Sequence, residues 1–170
     1  MAPQLGLAAV AFISPQNHPI LIRVLTKNQD DALKYHYLAH TSLDVIDERT
    51  HRAPPAAGKS TECYLGFLYA MEETAVYGYV TPLKLKIVLA FALSDAVVRD
   101  ADVTAIFKAL HLAYYRSISN PFLKLHAPLD TTSTADHAIM LQAGSERWKA
   151  FRRRVDEVAR AAGAVPVSNT

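Results

Sequence analysis

The chain has a single cysteine, Cys63, among its 170 residues. One thiol cannot form a disulfide within the chain, and seven histidines without a cysteine cluster do not indicate a zinc site. This cysteine usage is typical of the reducing cytosol. We therefore expect a cytoplasmic protein without a structural metal, in which Cys63 is a structural residue, with reversible lipidation of the thiol as the alternative.

Long apolar segments and a large charge of one sign are missing as well. The most apolar run, residues 83–93, is far shorter than the roughly 20 residues that span a bilayer. The net charge of +2 is weak evidence for a nucleic-acid partner, so none is expected. The apolar N-terminus resembles a signal peptide, but no Lys or Arg precedes Leu5 and a turn follows, which favours a first β-strand.

The sequence contains two segments that resemble catalytic or ligand-binding motifs, but each lacks a residue that its motif requires. Gly58 resembles the last glycine of a phosphate-binding loop, but Ala53 stands where that motif requires its first glycine. His36 and His40 have the spacing of two zinc ligands on a helix, but Tyr37 replaces the glutamate of the zinc-protease motif. We therefore expect no enzymatic activity, no cofactor and no small-molecule substrate.

The run 83–93 is apolar on both sides when it is read as a β-strand. Ile87 and Leu89 fall on one side and Val88 on the other, whereas a strand with one solvated face would alternate apolar and polar residues. Lys86 stands only at the entrance of the strand. Since both faces need cover, the sequence predicts a central strand with helices above and below the sheet.

The remaining elements are predicted from periodicity and from turn residues. The expected order is two strands, a helix, three strands in an antiparallel meander, and two helices, all in one domain spanning 1–170. This is an α+β fold, an α/β sandwich. A loop insertion at 50–62, an irregular connection at 122–144 and a C-terminal helix at 145–162 complete the organisation.

The first helix is predicted to start near three N-cap candidates and to end at about Arg49. These candidates are Asn28, Asp30 and Asp31. Its predicted buried face comprises Tyr35, Leu38, Ala39, Ser42, Leu43 and Ile46. Its opposite, hydrophilic face comprises Tyr37, His40, Thr41, Asp44, Asp47 and Glu48. Because an aromatic ringed by polar groups is common at interface centres, we predict that Tyr37, His40, Thr41, Asp44 and Glu48 bind a partner.

The second helix, with Asp100 as its expected N-cap, carries small and apolar residues where a monomer usually has charges. Together with the basic Arg116, they form a second predicted partner-binding surface: Ala105, Ala109, Leu112 and Arg116. The last helix carries a basic cluster that includes Arg152, Arg153 and Arg154. Such a cluster is typical of the solvated side of an amphipathic helix, with an anionic membrane or an acidic partner as the alternative.

Several motifs, in the same order along the chain, closely resemble the sedlin family of TRAPP (transport protein particle) subunits. They are LKYHYLAHTSLDVIDER at 33–49, YLGFLY and VYGYVT within 64–81, RDADV at 99–103 and SNPF at 119–122. HTSLDV and VYGYVT look more like the subunit 2-like branch than like sedlin proper. The resemblance implies a longin-like fold, a five-stranded antiparallel sheet with one helix on one face and two on the other.

The same resemblance implies a function. Members are non-catalytic adaptor subunits of a tethering complex that activates Rab GTPases in transport between the endoplasmic reticulum, the Golgi and endosomes. It implies other TRAPP subunits as partners, an indirect link to a Rab GTPase, and peripheral membrane association through the complex at the endoplasmic reticulum and Golgi. It also implies that Asp44 contacts other subunits. The alternatives are a sedlin-type paralogue of the same complex and a free longin-type regulator of membrane fusion.

Overall fold

The computed structural model describes residues 6–26, 32–52, 63–93, 98–119 and 149–163. These residues form five strands and three helices: β1 (Leu7–Ile13), β2 (Pro19–Val24), α1 (Ala32–Arg52), β3 (Tyr64–Met71), β4 (Thr74–Val80), β5 (Lys86–Ala92), α2 (Asp100–Ile118) and α3 (Lys149–Ala161). The strands make one sheet in the order β2-β1-β5-β4-β3, and every neighbouring pair is antiparallel. The predicted α+β order and the meander of β3, β4 and β5 are confirmed.

β5 is the middle strand and is covered on both faces. Ile87, Leu89 and Phe91 pack with α2 and α3 in one core cluster, while Val88 and Ala90 pack with α1 in the other. The α1 side of the sheet is rich in alanine, and small side chains let a helix approach the strands closely. One helix therefore covers one face and two helices cover the other, as expected.

α1 follows its predicted amphipathic pattern but is longer than predicted. All six residues of the predicted inner face are buried. The helix continues to Arg52 because its last turn has further support: the Thr50 hydroxyl donates to the Asp47 carbonyl (3.1 Å), and the Arg49 guanidinium donates to the carbonyls of Leu65 (2.8 Å) and Leu68 (3.4 Å) on β3. The predicted loop at 50–62 is thus helical in its first three residues. The N-cap candidates and residues 53–62 lie outside the described residues.

The predicted N-cap of α2 is off by one residue. Arg99 occupies the cap position in an extended conformation, and Asp100 is the first helical residue. The Asp100 side chain is engaged elsewhere, because its Oδ1 accepts a hydrogen bond from the Tyr64 hydroxyl on β3 (2.8 Å). The period of the sequence predicts an inner stripe of α2 in which Val103, Ile106, Phe107, Leu110 and Tyr114 are buried, whereas Ser117, the last residue predicted for it, is half-buried. The Phe107 ring stacks on Tyr79 of β4 at 5.2 Å.

α3 packs beside α2 on the same face of the sheet. The Phe151 ring contacts Phe12 edge-on at 5.0 Å and Tyr114 at 5.9 Å, and Arg23 of β2 holds Asp156 through two hydrogen bonds of 2.8 and 2.9 Å. The predicted helix at 145–162 is described from Lys149 to Ala161. The connection at 122–144 and the preceding Trp148 lie outside the described residues.

The burial of β5 yields a test of the core. Phe91 is fully buried and its ring contacts Tyr77 at 5.6 Å. We expect Phe91→Ala to lower the free energy of unfolding by about 3 to 5 kcal/mol, the usual range for removing a buried phenylalanine. Urea denaturation measures this loss. A change under about 1 kcal/mol would mean that the strand is not the centre of the core.

Candidate partner-binding interface

The five residues predicted to bind a partner on the first helix share one exposed surface, here called the α1 outer face: Tyr37, His40, Thr41, Asp44 and Glu48. Tyr37 is 62% exposed, and His40, Asp44 and Glu48 are exposed as well. Thr41 is half-buried, and its hydroxyl donates to the Tyr37 carbonyl (3.0 Å). The helical period therefore brings these side chains together as predicted. Their role in binding stays a prediction.

The first half of α1 is fastened to the sheet beneath this surface. Tyr69 of β3 donates its hydroxyl hydrogen to the Leu38 carbonyl at 2.7 Å. Burial, reinforced by the nearby Tyr37 hydroxyl, raises the pKa of Tyr69 to about 12, so this donor stays protonated at physiological pH. Lys34 adds contacts to Glu72 at the β3–β4 turn, 3.2 Å to its carbonyl and 3.4 Å to its carboxylate.

The second half of α1 is fastened by an ion pair that the sequence analysis missed. Lys86 was predicted at the entrance of the strand and Asp47 on the hydrophilic face, but the Lys86 ammonium donates to Asp47 Oδ1 (2.7 Å) and to Asn17 Oδ1 (2.5 Å). The Lys86 side chain is only 9% exposed. Both placements hold, since β5 begins at Lys86 and the Asp47 side chain is 41% exposed. The pair itself could not be predicted, because helical periodicity gives the direction of Asp47 but not which strand α1 crosses.

This pairing distinguishes two acidic residues on the hydrophilic side of α1. The Asp47 carboxylate is neutralised by Lys86 inside the domain, whereas Asp44 is exposed and makes no ion pair with any described residue. Asp44 is therefore an available acceptor two helical turns after the exposed Tyr37 ring. An aromatic and an available charge on one helix face can supply contact area and orientation to a binding surface.

A small cleft lies along the same helix, between α1 and the β1–β2 hairpin. It encloses about 10 Å³, room for about one water molecule, and is lined by Ile13, Asn17, Pro19, Ile22, Ala39, His40 and Leu43. Small-molecule sites usually enclose about 300 to 1,000 Å³. His40 belongs to both the cleft and the α1 outer face, so the cleft extends that surface. No motif could reveal it, because three separate elements form its walls.

The second predicted surface lies on the opposite side of the sheet. Ala105 and Arg116 are exposed, Leu112 is 49% exposed, and Ala109 is half-buried. Since α1 and α2 cover different faces, the structure does not bring the two predicted surfaces together. Binding by the α2 residues stays a prediction.

Two features are absent from the part of the chain that the structure describes. No group of three or more His, Cys, Asp and Glu side chains there is placed to hold a metal ion. No helix within the same residues combines the length and the apolar character needed to cross a bilayer. Cys63 is half-buried and packs against the core on the α2 side.

Comparison with known proteins agrees with the geometry. The family model described as Sedlin matches residues 12–142. The chain is 42% identical to the trafficking protein particle complex subunit 2-like protein of Bos taurus, over 66% of this chain and 80% of the relative. The protein of the same name from Xenopus tropicalis is 41% identical over 72% of this chain and 86% of its own length. The one from Dictyostelium discoideum is 31% identical over 74% and 88%.

The sheet, with one helix on one face and two on the other, defines a longin-like domain. The chain belongs to the sedlin family.

The ion pair under α1, buried at Lys86 and half-exposed at Asp47, can be tested by removing one partner. Asp47→Ala leaves the Lys86 ammonium with Asn17 as its remaining partner in the structure, so we expect a loss of about 1 to 3 kcal/mol in the free energy of unfolding. The lower half of that range is favoured because the Asp47 side chain is 41% exposed and solvent screens the pair. Urea denaturation measures the loss.

Asp44→Ala is the matched control, since it removes an exposed carboxylate from the same helix and should change stability by no more than about 0.5 kcal/mol. The double variant Lys86→Met/Asp47→Ala should recover part of the loss, because replacing a buried pair by apolar groups is less costly than breaking it. If Asp44→Ala and Asp47→Ala lowered the free energy of unfolding equally, the Lys86–Asp47 ion pair would be contradicted.

Proposed function

We propose that this protein is a non-catalytic adaptor subunit of a trafficking complex of the TRAPP type and that the α1 outer face is its contact with a neighbouring subunit. Support for the complex comes from relatives named as trafficking protein particle complex subunit 2-like proteins. Support for the surface comes from Tyr37, a 62% exposed aromatic held on a helix that is fastened to the sheet.

The apolar area on the exposed side of α1 distinguishes this surface from an ordinary solvated helix face. Leu33 is 80% exposed and stands one helical turn before Tyr37, so the two side chains are neighbours. Asp44 continues the row towards the C-terminus of the helix. A wholly solvated face would carry polar side chains at these positions, whereas interface centres combine a large aromatic with a polar surround.

Rigidity is the second argument. The Tyr69 hydrogen bond and the Lys86–Asp47 ion pair hold α1 from below, one in each half of the helix. A surface that is already ordered loses little conformational entropy when a partner binds, so more of the contact energy contributes to affinity. A subunit that connects others in an assembly needs such a pre-organised face.

The relatives named as TRAPP-type subunits also support a proposal for the cellular role. As a TRAPP-type subunit, the protein supports Rab GTPase activation indirectly, through the complex, in vesicle transport between the endoplasmic reticulum, the Golgi and endosomes. It acts in the cytoplasm at the periphery of the endoplasmic reticulum and Golgi, and the whole complex associates with the membrane. Its contribution is the arrangement of other subunits, not a chemical step.

Two substitutions test the proposed contact. Asp44→Tyr and Tyr37→Ala should leave the free energy of unfolding within about 1 kcal/mol of the wild type, because both side chains are exposed. If either residue is an interface centre, its loss removes about 2 kcal/mol or more of binding, roughly a 30-fold weaker complex. Affinity purification of the tagged protein, with partner subunits quantified in the eluate, measures the release.

Leu83→Ala is the matched control for Tyr37→Ala, since Leu83 is a 72% exposed apolar residue in the β4–β5 connection, outside the α1 outer face. It should retain partners at the wild-type level. Thermal melting of every variant excludes unfolding as the cause. Unchanged co-purification of both variants would rule out the α1 contact, and wild-type protein without any trafficking-complex subunit in the eluate would rule out the adaptor role.

A further inference from the structure

The outer surface of the α2/α3 layer is basic and is separate from the α1 outer face. It is called here the basic layer surface and consists of Lys108, Leu112, Tyr115 and Arg116 on α2 with Lys149, Arg153 and Arg160 on α3. These residues are exposed, and they lie opposite the buried stripes of their helices. Because α2 and α3 pack side by side on one face of the sheet, the two rows point away from the sheet in the same direction.

The acidic side chains of the two helices do not cancel this charge. The Asp156 carboxylate is turned to Arg23 on β2, and Asp102 is paired with Arg99 (2.9 Å) ahead of the helix. Asp100, at the first position of α2, accepts a hydrogen bond from Tyr64 on β3. Glu157 does face outward, but its contact with Arg153 is long, at 3.7 Å. No described carboxylate pairs with Lys108 or Arg116. The surface therefore presents an excess of positive charge spread over two helices.

Two apolar side chains stand among these cations. Leu112 is 49% exposed and lies at the centre of the outward stripe of α2, and Tyr115 is 55% exposed beside it. Basic residues around a leucine and a tyrosine are the composition of surfaces that lie in a membrane interface, where apolar groups enter the acyl boundary and the tyrosine hydroxyl stays at the headgroups.

We propose that the basic layer surface binds anionic phospholipid bilayers directly. Charge complementarity identifies the occupant: Lys and Arg side chains near an anionic leaflet are attracted to its headgroups, and their flexible stems adapt to headgroups at varying positions. The matched family range ends at residue 142, so the basic residues of α3 lie outside it.

Direct binding complements the proposed adaptor role without depending on it. A handful of cations and two apolar side chains give weak, reversible association by themselves, and an assembly strengthens it by holding several such contacts at one membrane. The α1 outer face lies on the opposite side of the sheet and stays available for a neighbouring subunit while α2 and α3 face the lipid.

The test is co-sedimentation of the purified full chain with phosphatidylcholine vesicles that contain or lack phosphatidylserine. We expect binding only to the anionic vesicles, declining as salt is added. One neutralised cation weakens such binding about five-fold, so Arg116→Gln/Arg160→Gln, with one change on each helix, should weaken it about 25-fold. Leu112→Asp should weaken it further, because the added carboxylate repels the headgroups.

Lys84→Gln is the matched control, as it removes an exposed cation from the β4–β5 connection and should bind like the wild type. Melting curves confirm that all variants are folded. The proposal is overturned if the wild type binds both vesicle types equally, if it binds neither, or if Lys84→Gln loses as much as Arg116→Gln/Arg160→Gln. It is also overturned if Arg116→Gln/Arg160→Gln releases partner subunits on affinity purification but still binds anionic vesicles, since the surface is then a protein interface.

Discussion

Burial of β5 on both faces is the constraint on which the rest of the molecule depends. The strand hydrogen-bonds to β1 on one side and β4 on the other, so its backbone is satisfied only in the middle of the sheet. Its side chains point both up and down, and neither set can face water. A second layer is therefore required on each face: α1 covers the alanine-rich side, while α2 and α3 share the side with the larger residues.

This two-sided cover gives the domain two outer surfaces with different character. α1 presents Tyr37 and Asp44 on a helix that is fastened in both halves, by Tyr69 and by the Lys86–Asp47 pair. The α2/α3 layer presents basic side chains with two apolar ones among them. Because the sheet separates these surfaces, the proposed subunit contact and the proposed membrane contact would not compete with each other.

Ion pairs between elements determine which charges the outer surfaces of α1 and α3 present. Asp47 and Asp156 are both directed inward, to Lys86 and Arg23, so each removes a negative charge from the surface that its helix presents. On α1 the result is that Asp44 is an exposed acid with no ion pair among the described residues, and on α3 the result is a more basic outer row. Pairs of this kind contribute modestly to stability when half-exposed, but they decide which charges a partner meets.

The sequence by itself determined the element order, the central position of β5 and the inner and outer faces of the helices. These follow from local periodicity: two-sided apolar character at a period of two, and apolar stripes at a period of 3.6, as in Ile46 and Val103. Helix ends were predicted less well, because Arg49 and Asp100 form contacts with β3 that lie outside any local window. Only the tertiary structure decided that Lys86 is buried against Asp47, that three elements enclose a cleft beside His40, and that the two predicted surfaces lie apart. Each depends on which element crosses which, and that is set by long-range packing rather than by residue spacing.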